Sequence, residues 1–176
     1  MKIIVKDNYE EMSASCAEFI CGYINKNPGK LLCFAAGDTP LAIMKKLIEK
    51  QEAGEVNLAS MYYAGLDEWE GLGYEDKGSC RQVMQDNFYG PAKIACENMR
   101  VFDGKADAGE ETRAVLDFIK DKSGIGLAPA PGGCQSFKIL LKAKAYFSVV
   151  TAHCGYFHNR FYYSIHGSMK RAAITK

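Results

Sequence analysis

Short apolar runs alternate with amphipathic segments along the first 127 residues of the chain. The runs that predict buried strands lie at residues 2–5, 31–35, 61–66, around Met99 and at 124–127. Between them, apolar residues recur at helical spacing from Met12 to Ile24, near 40–52, near 79–89 and near 108–121. Strands that alternate with helices imply a parallel sheet with right-handed crossovers. The predicted fold class is therefore α/β, a Rossmann-like parallel sheet with helices on both faces.

Two helix starts carry recognisable capping residues. Asp7 and Glu10 resemble a capping box at the start of the first helix. Thr39 is predicted to be the N-cap of the second helix, and Pro40 suits the first helical position because its missing N–H needs no acceptor there.

The turn before that second helix is a candidate anion site. Gly37 permits a tight turn and close backbone approach to a ligand, and the helix that follows offers free N–H groups and a favourable dipole. A capped helix that binds nothing has the same sequence, so the turn alone does not decide between the two interpretations.

Two acidic residues follow the next predicted strand. Asp67 and Glu68 come directly after the apolar run at 61–66. Ligands of parallel α/β sheets bind beyond the carboxyl ends of strands, and a carboxylate beside a sugar can move a proton between carbons. Neighbours in an extended chain point to opposite sides, so we expect one carboxylate to face a ligand. The alternative is a solvated acidic turn.

Several motifs in this order resemble the amino-terminal half of glucosamine-6-phosphate deaminases and of the related 6-phosphogluconolactonases, over about residues 1–127. They are Gly37-Asp38-Thr39-Pro40, Gly54-Glu55-Val56, Leu66-Asp67-Glu68-Trp69-Glu70-Gly71-Leu72, the segment 79–89 and Val101-Phe102-Asp103-Gly104. Trp69 with Gly71 and Leu72 favours the deaminase, because the lactonase motif usually carries a basic residue after the acids.

The resemblance implies site residues and a reaction. Gly37, Asp38 and Thr39 would bind the substrate phosphate, although the family usually has a small residue where Asp38 stands. Asp67 would be the base, with Glu68 beside it, in an aldose–ketose isomerisation that ends in loss of ammonia and gives fructose 6-phosphate. The chemistry implies no metal and no organic cofactor. The expected partner is a small-molecule sugar phosphate, and family members usually assemble into homo-oligomers.

The family's second motif is missing from this sequence. After a strand such as 124–127 the family carries Gly-x-Gly-x-(Asp/Asn)-Gly-His, whose His opens the sugar ring. Here Ala128-Pro129-Ala130-Pro131-Gly132-Gly133-Cys134 follows instead. We therefore expect the chain as given to have little or no deaminase activity.

Charge marks the same boundary. Residues 128–176 contain no Asp or Glu and carry a net charge of +7, against −6 for the first 127 residues. This tail, defined as residues 128–176, is either a basic anion- or nucleic-acid-binding extension, a divergent replacement for the family's second half, or a product of translation out of frame. We favour the last, and so predict a 1–127 α/β domain followed by an atypical tail.

Composition limits the remaining classes of protein. The chain has 176 residues, 48% apolar, and no run long enough for a membrane span or a secretory signal before Lys6. Seven irregularly spaced Cys indicate free thiols in a reducing compartment, so a cytoplasmic protein without membrane or nucleic-acid partners is predicted. His153, Cys154 and His158 lack the paired spacing of a structural zinc site.

Two other functions remain open at this point. A 6-phosphogluconolactonase-like hydrolase would use the same amino-terminal half. A non-catalytic sugar-phosphate-binding domain, as in transcription regulators of similar fold, would need the phosphate site but no base.

Overall fold

The computed structural model of the chain describes residues 2–131, 148–153 and 161–166, with side chains from 4 to 128. The helices are α1 (Tyr9–Lys26), α2 (Leu41–Glu52), α3 (Cys80–Met84), which continues as a π-helical segment (Gln85–Tyr89), and α4 (Ala108–Asp121). The strands are β1 (Lys2–Lys6), β2 (Leu31–Phe34), β3 (Tyr62–Gly65), β4 (Met99–Arg100), β5 (Ile125–Pro131), β6 (Ser148–His153) and β7 (Phe161–His166). Short 3₁₀ turns lie at Leu58–Ser60 and Cys96–Asn98.

The described strands form one seven-stranded sheet in the order β1-β7-β6-β5-β2-β3-β4. Strands β6, β5, β2, β3 and β4 pair in parallel, whereas β7 is antiparallel to both of its neighbours, β6 and β1. The α/β class is confirmed, and β7 is the one described strand that runs against the parallel arrangement. Strand β5 continues through Pro131 and so crosses the boundary at residue 127, while the division into a domain and a tail stays a prediction.

Helices cover both faces of the sheet, as predicted. On one face α1, α2 and the π-helical segment pack over Leu32, Phe34 and Tyr63. On the other face α4 contributes Val115 and Ile119 to a smaller cluster. Strand β2 is buried on both faces, which explains why its sequence is a continuous apolar run rather than an alternating one.

An aromatic cluster holds the segment that begins with α3 against the sheet. The Phe88 ring centroid lies 5.0 Å from that of Phe34 and 5.5 Å from that of Tyr63. All three side chains are fully buried. This packing places the start of α3 beside the carboxyl ends of β2 and β3, where the candidate site residues lie.

Both predicted helix starts need correction. The N-cap of α1 is Asn8 rather than Asp7: its Oδ1 accepts the Glu11 N–H at 2.8 Å, and its amide donates to Glu11 Oε1 at 2.9 Å. Thr39 does not cap α2, which begins at Leu41 after Pro40 in helical conformation and has no side-chain cap. The first turn of α2 is therefore without a side-chain hydroxyl as acceptor.

Candidate functional site

The two predicted halves of the site leave the sheet side by side. Strands β2 and β3 are parallel neighbours in which Phe34 pairs with Gly65, and the Leu66 N–H donates to the Phe34 carbonyl at 3.2 Å. The turn after β2 and the acidic pair after β3 therefore start at the same edge of the sheet. This edge is where ligands of parallel α/β sheets bind.

The turn after β2 has the backbone that its sequence predicts. Gly37 has φ +109°, a conformation that side-chain-bearing residues rarely adopt, and no atom lies near the position of an added Cβ. Gly37 and Asp38 are exposed, and Thr39 is half-buried. The turn thus presents its backbone at the surface of the candidate site.

A tyrosine from α1 fixes this turn. The Tyr9 hydroxyl donates to the Thr39 carbonyl at 2.6 Å and lies 3.2 Å from the Asp38 carbonyl. The Asp38 carbonyl and the Thr39 N–H belong to one trans peptide and point in opposite directions, so the Thr39 N–H points away from Tyr9. Among the first N–H groups of α2, that of Leu41 donates to the Asp38 carbonyl at 3.3 Å. Helix geometry leaves those of Ala42 and Ile43 without an intrahelical acceptor.

Glu68 is engaged by backbone donors. Its Oε1 accepts the N–H groups of Trp69 and Cys80, both at 2.8 Å, and its Oε2 accepts the Arg81 N–H at 2.7 Å. The side chain thus ties the first turn of α3 to the end of β3. Ser79 adds the ordinary cap of α3, accepting the Gln82 N–H at 3.0 Å.

Asp67 contacts α3 through a side chain, that of Cys80. It is half-buried, and its Oδ1 lies 4.0 Å from the Cys80 sulfur. Burial, followed by the negative charge of Asp67, raises the pKa of the Cys33 thiol to about 12. The carboxylate therefore has two cysteine thiols in its surroundings, one from β2 and one from α3.

Asp67 and Glu68 line a small concavity at this edge. Its other described lining residues come from the ends of β2 and β3, from α3 and from the segment after β4: Phe34, Ala36, Gly65, Leu66, Cys80, Arg81, Met84, Val101 and Phe102. Gly37, Asp38 and Thr39 lie next to this wall through Ala36 but do not themselves line it. The concavity is mostly apolar, with Asp67, Glu68 and Arg81 as its charged residues.

The loop between β3 and α3 is tied to the segment after β4. The Gly71 N–H donates to the Gly104 carbonyl at 2.6 Å. A Cβ on Gly104 would overlap the Trp69 carbonyl oxygen and lie 2.6 Å from that of Leu72. Lys105 adds ion pairs to Glu75 at 2.5 Å and to Asp76 at 2.7 Å. These contacts place the loop that follows Asp67 without using any residue of the concavity.

Sequence reasoning named the acidic pair and the turn but missed the residues that position them. Tyr9, Cys80 and Arg81 are distant in sequence from the elements they contact, and no local pattern identifies them. Cys154 and His158 lie outside the described residues, and within the described part no group of His, Cys, Asp or Glu forms a metal site. Among the described helices, none combines the length and the apolar character that crossing a membrane requires.

Comparison with known proteins identifies relatives of part of the chain. A glucosamine-6-phosphate deaminase of Thermoanaerobacter sp. (strain X514) is 37% identical over 128 residues, which are 72% of this chain and 51% of the relative. The chain spans about half the length of the curated relatives it matches. No protein-family model matches the sequence.

Solved structures show the same fold. A monomeric glucosamine-6-phosphate deaminase superposes with a TM-score of 0.65 at 24% identity, over 69% of this chain and 51% of that one. The 6-phosphogluconolactonase of Thermotoga maritima gives a TM-score of 0.58 at 16% identity, over 68% of this chain and 54% of that one.

Proposed function

We infer that this protein binds a hexose 6-phosphate where β2 and β3 end. Its amino-terminal part resembles the glucosamine-6-phosphate deaminase and 6-phosphogluconolactonase family. The sequence relatives are named deaminases, and both branches occur among the similar structures. The substrate and the reaction below are proposals for this chain.

The phosphate is proposed to bind at the turn that follows β2. Support comes from the positive φ of Gly37, from the Thr39 N–H directed away from Tyr9 and from the uncapped first turn of α2. Backbone N–H groups at a helix N-terminus favour an anion. The exposed Asp38 carboxylate opposes this, so affinity depends on that side chain turning towards solvent.

Asp67 is proposed as the base. The observation that carries this assignment is the different engagement of two adjacent carboxylates. Both carboxylates line the concavity, but Glu68 accepts three backbone N–H groups, whereas Asp67 Oδ1 lies beside the Cys80 thiol. In the open-chain amino sugar, Asp67 would remove the proton from C2 and return it to C1 while O1 gains a proton, which leaves an iminium group at C2. Water would then hydrolyse this iminium to fructose 6-phosphate and ammonia. Glu68 would position Asp67 and α3 rather than transfer a proton.

Ligand binding tests the first part of this proposal. Thermal unfolding of the full chain is measured with glucosamine 6-phosphate, glucosamine and inorganic phosphate. Stabilisation by the sugar phosphate but not by glucosamine is expected, because a ligand that binds the native state stabilises it by mass action. Equal shifts from glucosamine and its 6-phosphate would reject a phosphate site.

Turnover is expected to be absent or very slow. The sequence lacks the Gly-His motif that would open the sugar ring, and loss of one acid–base group alone costs about 10²- to 10⁴-fold. Ammonia release from glucosamine 6-phosphate by the purified chain decides this point. A rate of order ten per second would show that residues 128–176 supply a working replacement.

Two other functions predict different results in these assays. A 6-phosphogluconolactonase-like protein would hydrolyse the lactone without releasing ammonia, and Arg81 in the concavity favours this candidate because it adds a cation beside the acids. A non-catalytic sugar-phosphate-binding domain would show ligand stabilisation without turnover of either substrate.

A further inference from the structure

One cation of the candidate site has no carboxylate partner among the described residues. Lys46, Lys50, Arg100 and Lys105 each form an ion pair with a carboxylate from another element or loop. No described carboxylate lies within ion-pair distance of the Arg81 guanidinium. Arg81 is nevertheless half-buried and lines the same concavity as Asp67. A half-buried arginine that lines this concavity without a described carboxylate partner is available for an anionic group of a ligand.

The backbone of Arg81 is held close to the acidic pair. Its N–H donates to Glu68 Oε2 at 2.7 Å, so the residue is attached to the end of β3 rather than to the turn after β2. The Arg81 guanidinium carbon lies 5.9 Å from the centroid of the Tyr74 ring, a cation–π distance that orients the long side chain. The backbone bond therefore attaches Arg81 at the concavity that Asp67 and Glu68 also line.

The two elements proposed to bind anions, the turn and Arg81, therefore lie at the ends of two different strands. The turn that contains Gly37 follows β2, and Arg81 is attached to the residues that follow β3. A hexose 6-phosphate whose phosphate lies at the turn would direct its C1 end towards Asp67 and Arg81. The oxygen on C1 carries negative charge in a sugar acid and in the enediolate of an isomerisation, but not in the aldehyde or ring form of an amino sugar.

We propose that Arg81 is a specificity-determining residue that binds a negatively charged oxygen on C1 of a hexose 6-phosphate. The inference rests on the proposed function, because it needs the phosphate at the turn. A phosphorylated aldonate, with one anion at each end, then binds more tightly than glucosamine 6-phosphate, whose ammonium group is repelled by the guanidinium.

Binding constants of the full chain test this assignment. Isothermal titration uses 6-phosphogluconate, glucosamine 6-phosphate and inorganic phosphate, with the wild type, Arg81→Gln and Arg81→Lys. Arg113→Gln, which removes an exposed arginine of α4 away from the concavity, is the matched control. Circular dichroism of each variant confirms folding, and Arg81→Lys keeps the charge if Arg81→Gln does not fold.

The expected result is selective. Arg81→Gln weakens 6-phosphogluconate binding by about 10- to 100-fold, the value of a charge-assisted hydrogen bond, and leaves glucosamine 6-phosphate within about twofold. Arg81→Lys weakens binding of the aldonate less than Arg81→Gln does, and Arg113→Gln changes the affinity for neither ligand. Equal weakening of the binding of both ligands would mean that Arg81 contacts the phosphate. Unchanged binding of both ligands would mean that Arg81 contacts neither. Either result overturns the proposal. A wild type that binds no sugar phosphate would instead reject the proposed function itself, and the inference with it.

Discussion

Glu68 accepts the backbone N–H of Arg81 over 2.7 Å, although the two residues are separated by a long loop. The same carboxylate accepts the N–H groups of Trp69 and Cys80. One side chain therefore closes the loop onto the end of β3 and satisfies donors at the start of α3. These hydrogen bonds hold the loop and α3 in position, and they give Glu68 a different role from that of Asp67.

The substitution Glu68→Gln is expected to destabilise the chain. A neutral amide presents one acceptor and two donors to three N–H groups, so charge-assisted hydrogen bonds are lost. We expect a loss of about 1–3 kcal/mol in the free energy of unfolding, measured by urea denaturation. Glu70→Gln, two residues away and exposed, is the control and should stay within about 0.5 kcal/mol. Equal effects of the two substitutions would contradict the positioning role of Glu68.

Asp67→Asn is expected to act on chemistry rather than on stability. In a chimera whose residues 128–176 are replaced by the second half of a deaminase relative, the variant should lose at least about a hundredfold in turnover. Ammonia release measures the loss, and urea denaturation should show little change in unfolding. If Glu68→Gln lowers turnover more than Asp67→Asn at temperatures where both variants are folded, the assignment of the base is wrong.

Gly37→Ala is expected to disturb the turn without a steric clash. No atom lies near the added Cβ, but φ +109° strains any residue with a side chain, at a cost of about 1–2 kcal/mol. Stabilisation by glucosamine 6-phosphate should fall because the backbone donors shift. Gly22→Ala is the matched control: it lies exposed within α1, also with open space at its Cβ, and should stabilise the chain by about 0.5–1 kcal/mol. Similar effects of both substitutions would argue against strain at Gly37.

Tyr9→Phe tests whether α1 positions the phosphate-binding turn. Removing the hydroxyl leaves the Thr39 and Asp38 carbonyls without this donor, so we expect about 1 kcal/mol of lost stability. The binding constant for glucosamine 6-phosphate should weaken as the Thr39 N–H loses its fixed direction. Unchanged affinity together with lowered stability would confine Tyr9 to a structural role.

The link between the acidic loop and Lys105 is expected to depend on pH. Hydrogen bonds from Lys105 are the largest cause that lowers the pKa of Glu75 and that of Asp76, and a backbone hydrogen bond lowers each pKa further. A depressed carboxyl pKa contributes stability above the unfolded-state value, which is lost as pH falls through the lower folded-state value. Lys105→Gln should therefore raise both pKa values, although each carboxyl keeps its backbone hydrogen bond. Carboxyl NMR titration measures this, and Lys120→Gln, which removes a pair within α4, should leave both unchanged.

The alternation of apolar runs and helical stripes predicted the α/β fold because the apolar residues that each element buries follow a pattern within that element's own sequence. Helix starts were predicted less well. Asp7 and Asn8 are both good caps, and only the native contact between Asn8 and Glu11 selects the second. At α2 the sequence Thr39-Pro40 indicated a cap, but the Thr39 backbone is engaged by Tyr9 and the helix begins later. The direction of β7 depends on long-range pairing, which no local pattern encodes.

The candidate site shows the same division. Asp67 and the Gly37 turn were predicted because strand ends and glycine turns are local features. The distinct roles of Asp67 and Glu68 depend on which carboxylate binds the backbone of α3. Glu68 does so through Cys80 and Arg81, which are 12 and 13 positions further along the chain. The assignment of both groups to a reaction stays a prediction.

The close approach of Gly104 to the loop after Asp67 has a consequence for sequence variation. A saturation library scored for ligand binding should show strong intolerance at Gly104, a position that lines no part of the concavity and carries no reactive group. Any side chain there would displace the Trp69 and Leu72 carbonyls and, through them, the loop that leaves Asp67. Relatives that replace this glycine would be expected to carry a compensating deletion or rearrangement between residues 69 and 72, so the two segments should change together.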